Sequence, residues 1–97
     1  MSYVSELSDA IRAEAPPELL PDQDVDLLFL MYAVLLLAKG PSVDAEDVHN
    51  AWAAWMTHRG VAHESLVPFR DLAPDTRAED SPFVAAIRRV AARRAAH

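Results

Sequence analysis

The stretch "DVDLLFLMYAVLLLAKGP", residues 24–41, decides the fold. Leu27 to Ala38 is an unbroken apolar run of twelve residues, with Asp22, Asp24 and Asp26 ahead of it and Lys39, Gly40 and Pro41 behind. As a helix the run spans about 18 Å, too short for a bilayer core of roughly 30 Å. The spacing therefore predicts a buried helix over residues 22–38, not a membrane span. Asp22 or Asp24 would cap its start, and the acidic first turn suits the helix dipole. Lys39-Gly40-Pro41 is a C-terminal stop. A helix that is apolar on every side is normally surrounded.

What surrounds it must come from the other residues of a 97-residue chain, a length that suits one small domain over residues 1–97. Residues 3–15 form a short amphipathic helix with Tyr3, Val4, Leu7, Ile11 and Ala15 near one face, stopped by Pro16 and Pro17. A third helix covers residues 45–58. Asp44 and Asp47 have capping-box spacing, Val48, Trp52, Trp55 and Met56 make a stripe, and Gly60 ends it. Ser81 and Pro82 open a fourth helix that runs to about Ala95, with Phe83, Val84, Ile87, Val90 and Ala91 inward. The expected architecture is all-α: a compact bundle of four helices with a structured loop between helices three and four. That loop, residues 61–80, has room for one helical turn around 75–79. Its "HESLVPF", residues 63–69, is too apolar at Leu66, Val67 and Phe69 to stand in water, and it reads as a strap across helices three and four. Trp52, Phe69 and Leu35 are expected in the core.

Charge is uneven. Residues 1–50 hold ten acids and two bases, giving −8; residues 51–97 hold five acids and seven bases, giving +2. Arg88, Arg89, Arg93 and Arg94 crowd the last helix, but bases at a helix C-terminus also favour the dipole and solvation, so nucleic-acid binding is the weaker reading. There is no cysteine, which excludes disulfides and thiolate chemistry. The N-terminus has no basic n-region, and cytoplasm is the expected location.

No catalytic constellation is legible. His63, Ser65 and Asp71 supply the residue types of a triad without its geometry, and GxSxG is absent. The two glycines make neither GxxxxGK nor GxGxxG. His49, His58, His63 and His97 fit no ligand spacing, so no metal or cofactor is expected. The expectation is a non-enzyme, an accessory or protein-interaction domain.

"VHNAWAAWM" at 48–56, "HESLVPF", Leu72 and "RAEDSPFVAAIRR" at 77–89 resemble the RyR domain, the repeat named after the ryanodine receptor. The resemblance covers nearly the C-terminal half, with a shortened segment at Gly60-Val61-Ala62. It implies a non-catalytic module that senses a small, nucleotide-like ligand. It places a ligand or partner site at His49, Trp52, Trp55, His63, Phe69 and Asp80. The Ala- and Arg-rich composition suits an actinobacterial or phage source. The surplus of apolar surface on the second helix predicts a symmetric homodimer, with complete wrapping inside the monomer as the alternative.

Overall fold

A computed structural model describes residues 2–95. The described chain is all-α, a bundle of four long helices and one short one, with no strand. Helix α1 spans Tyr3–Glu14, α2 Val25–Lys39, α3 Ala45–Arg59, the short α4 Pro74–Ala78, and α5 Ser81–Ala95. Single 3₁₀ turns lie at Pro17–Leu19, Gly40–Ser42 and Phe69–Asp71. His97 lies outside the described residues.

Local chemistry sets the boundaries. Ser2 caps α1 by accepting from the Ser5 amide. Asp44 and Asp47 form a reciprocal capping box: the Asp47 amide donates to Asp44 and the Asp44 amide donates to Asp47, at 2.9 and 3.0 Å. Burial works to raise the Asp47 carboxyl, but Lys39 and the Asp44 amide outweigh it and hold the group below its usual range. Gly60 adopts φ 70°, which lets its own amide and that of Val61 return to the Met56 carbonyl and close α3.

The start of α2 departs from expectation. Neither Asp22 nor Asp24 supplies a side-chain cap. Asp24 sits in the left-handed region at φ 53°, and its carbonyl accepts a hydrogen bond from Trp55 Nε1 at 2.9 Å. Its carboxylate pairs instead with Arg59, whose guanidinium lies 4.5 Å from the Trp55 ring centroid. The residue thus anchors α2 to the end of α3.

Helix α2 is wrapped on one side by α1, α3 and α5. Leu28, Phe29, Tyr32, Ala33 and Leu36 face inward, where Ile11, Val48, Trp55 and Ile87 join them. Each fully buried large aliphatic or aromatic side chain contributes roughly 1.5–3 kcal/mol relative to exposure. The wrapping is incomplete: Leu27, Val34 and Leu37 remain 36%, 57% and 40% exposed. By length and composition alone Val25–Ser42 could cross a membrane, a test that the core helix of a soluble protein also passes.

Three residues expected in the core lie at its edge. Trp52, Leu35 and Phe69 are half-buried, because α3 turns Trp55 inward and leaves Trp52 on its flank, while Leu35 falls between the two faces of α2. Phe69 opens a 3₁₀ turn that rests against His49 without entering the bundle. Leu72, just beyond it, is the buried anchor of the loop. Tyr3, expected on the inner face of α1, is exposed.

Candidate functional site

Inner faces of α2 and α3 meet the start of α5 and the 63–72 loop around a cavity of about 440 Å³. Helical spacing delivers its walls. Leu28 and Tyr32, one turn apart, come from α2; His49 and Trp52, three apart, from α3; Asp80 and Phe83, three apart, from the beginning of α5. The loop adds His63, Ser65 and Leu72, and Leu19 and Pro21 reach in from the connection between α1 and α2.

Aromatic rings dominate. Tyr32 lies 5.9 Å from Phe83 and 5.2 Å, edge-on, from Phe29. Trp52 is tilted against His49 at 5.8 Å and meets His63 edge-to-face at 5.1 Å. His49, only 3% exposed, donates from Nε2 to the Val67 carbonyl at 2.7 Å and so ties the loop to α3. A carbonyl can only accept, so Nε2 bears a proton. His63 uses Nδ1 to accept the Ser65 backbone amide at 3.0 Å.

The carboxyl groups of the cavity are those of Asp80 and Glu79. Asp80 makes no ion pair or hydrogen bond with its side chain among the described residues; burial, and to a smaller extent Glu79, push its carboxyl up to about 6 against the pull of His49. Tyr32 is 2% exposed, and burial together with the charge of Asp80 raises its hydroxyl well above the ordinary range. No described side chain or carbonyl pairs with that hydroxyl. No lysine or arginine lines the cavity.

Of the residues singled out in the sequence, His49, Trp52, His63 and Asp80 come together here. Phe69 stands behind His49 at 6.0 Å, with Arg77 over its ring, and does not line the cavity. Trp55 belongs to the core on the other side of α3. The sequence pattern marks Tyr32 and Phe83 as packing residues only. The signal that could have found Tyr32 is its hydroxyl, the one polar side-chain atom in a twelve-residue apolar run. Ser65, His63 and Asp71 do not assemble as a triad: the backbone amide of Ser65, not its hydroxyl, bonds His63, and Asp71 stands outside the cavity. Among the described residues no group of three or more His, Asp or Glu is placed to hold a metal.

A second surface is the outside of α2. Leu27, Leu30, Val34 and Leu37 follow one another at helical spacing along it, with Ala38 beside them. Val61, 37% exposed, adjoins Leu27 across a groove of about 330 Å³.

The chain belongs to the family described as a domain of unknown function (DUF7701), which matches residues 2–92. No curated protein and no solved structure matches it. The family match overturns the RyR resemblance, which rested on residues 48–89 and left α1 and α2 unaccounted for. The RyR repeat contains β-structure, whereas the described residues have none. The shared letters have local causes: the tryptophan pattern of α3 is the periodicity of a packed helix, and HESLVPF is a turn held by His49.

Proposed function

We propose that this small all-helical domain is a non-enzymatic interaction module that pairs with a second copy of itself through the outside of α2. One observation carries the reading. The helix at the centre of the core exposes Leu27, Val34 and Leu37 along its outer face, with no charged residue between Asp26 and Lys39 and the one polar side chain, Tyr32, turned inward. Asp24, Asp26 and Lys39 at the ends of α2 are already paired within the chain, with Arg59, Arg12 and Asp47, so the apolar stripe carries the contact. Closed two-fold pairs are the commonest symmetric assembly. A stable interface buries about 1,200 Å² or more in total, so the contact extends beyond the four-residue stripe to Val61 and the half-buried Met31.

Sedimentation equilibrium over a roughly hundredfold dilution range tests it, on the wild type and on Val34→Glu. A monomer–dimer equilibrium is expected in the wild type. In the variant it should weaken by a factor of about 100 or more, since a carboxylate facing its symmetry mate must be buried or repelled. Monomer mass at every concentration would refute the pairing.

A further inference from the structure

The cavity between α2, α3 and the start of α5 has a chemistry that the pairing surface does not use. We propose that it binds a small organic cation, a primary or quaternary ammonium carried on an apolar or aromatic body. Three features of the site argue together. At about 440 Å³ it has the size of a small-molecule pocket. Its walls offer the rings of Tyr32, Trp52 and Phe83, and the faces of such rings attract a cation. Its charged groups are the carboxylates of Asp80 and Glu79, and no lysine or arginine within it answers them.

The polar atoms of the walls also face the cavity. The Tyr32 side chain is almost completely buried, lines the cavity, and has no hydrogen-bond partner for its hydroxyl among the described residues. The hydroxyl oxygen is not sealed in the core but opens onto the cavity, where a ligand can reach it. An ammonium N–H donating to the tyrosine oxygen and to Asp80 satisfies both groups at once. The same acidity opposes a nucleotide or any other phosphate.

Asp80 faces Tyr32 from α2, His49 from α3, His63 from the loop and its own neighbour Glu79. Burial holds its carboxyl up near 6, so the ionised form that attracts a cation is depleted as the pH falls. Affinity should drop by about tenfold from pH 7.5 to pH 5.

The probes are phenethylammonium and benzyltrimethylammonium, compared with neutral 2-phenylethanol and anionic phenylacetate. Binding is followed by isothermal titration calorimetry and by amide chemical shifts in a two-dimensional NMR spectrum. Saturable binding of at least one ammonium is expected at about 1 mM or tighter, about tenfold stronger than the alcohol, with no measurable binding of phenylacetate. Shift changes should cluster on residues of α2, α3 and α5 around the cavity. Asp80→Asn should weaken the ammonium by about tenfold. Tyr32→Phe is the second variant, should Asp80→Asn disturb the turn before α5, and it should weaken primary ammonium more than the quaternary one, which has no N–H to donate. The proposal is overturned by phenylacetate binding as well as the ammonium ions, by affinity indifferent to pH, or by no saturable ammonium binding up to about 10 mM.

Discussion

Trp52 and Trp55 are three residues apart on one helix, yet truncating them should have very different effects. Trp55 is 1% exposed, stacks beneath Arg59 and donates its indole N–H to the Asp24 carbonyl. Removing the ring forfeits a burial term and opens a cavity, together about 3–5 kcal/mol for Trp→Ala in a core. It also leaves the Asp24 carbonyl with only a long contact to the Leu28 amide, at 3.5 Å, which adds roughly 1 kcal/mol. Trp52 is half-buried with one side open to the cavity. Trp52→Ala should cost about 1–2 kcal/mol, the ordinary range for a partly exposed site, and not the full core penalty that its place in the apolar stripe suggests. A domain of this size has roughly 5–15 kcal/mol in total, so Trp55→Ala approaches the limit of folding. Trp55→Phe keeps most of the packing and should lose about 1–2 kcal/mol with the hydrogen bond. Urea titrations followed by far-UV circular dichroism give all three values, provided the m-value stays constant. A Trp52→Ala loss equal to or larger than that of Trp55→Ala would refute the assignment of the two faces of α3.

Asp44→Ala breaks the capping box of α3 and should cost about 1 kcal/mol by the same titration. Gly60→Ala meets open space but must adopt a left-handed conformation, so a loss of about 1 kcal/mol is expected despite the absence of any clash. Asp80 has a folded-state value near 6 against an ordinary 3.8. The fold therefore favours its protonated form, and this contribution is fully present below about pH 4 and is lost as the pH rises through 6. Asp80→Asn should be more stable than the wild type at pH 7 by about 1 kcal/mol, a figure discounted for solvent at a half-exposed site, and the gap should close below about pH 4. Paired thermal melts at the two pH values check this.

The ends of the helices were legible because proline, glycine and capping residues act locally. Pro16, Gly40, Gly60 and the Ser81-Pro82 pair each stop or start a helix within a residue or two of its expected boundary. Which face of a helix turns inward was harder to read. Along α2 every position from Leu27 to Ala38 is apolar in character, so periodicity carries no preference, and only the packing of α1, α3 and α5 selects Leu28, Phe29, Tyr32, Ala33 and Leu36. The start of α2 was misread for a related reason. An aspartate before an apolar run looks like a cap, but Asp24 is held instead by a tryptophan and an arginine thirty-one and thirty-five residues away. Of the cavity, the α3 and loop histidines were visible as oddities, whereas Tyr32 and Phe83 hid among core residues of the same apolar character.

The arginines of α5 show how tertiary contacts change the meaning of a charge pattern, and they yield a further prediction. In sequence, Arg88, Arg89, Arg93 and Arg94 form a basic cluster opposed to an acidic N-terminal half. In the fold the halves meet. Arg88 donates to the Val43 carbonyl at 2.8 Å, and Arg89 and Arg93 both reach Glu14 at the end of α1, at 2.8 and 3.3 Å. Those two guanidinium groups hold the Glu14 carboxyl below its usual range. Among the described residues, Arg94 alone of the four makes no such contact. A phosphate backbone would have to compete with Glu14 for Arg89 and Arg93 while facing a net charge of −6. Each phosphate neutralised on duplex DNA contributes about −0.9 to the slope of log affinity against log salt. One free arginine thus allows a slope no steeper than about −1, too shallow to support measurable binding near physiological salt. Fluorescence anisotropy with a random duplex between about 50 and 200 mM salt should show no saturable binding. A slope of about −3 or steeper would mean that the arginines leave Glu14 and Val43 for phosphate, and that α5 is a nucleic-acid surface after all.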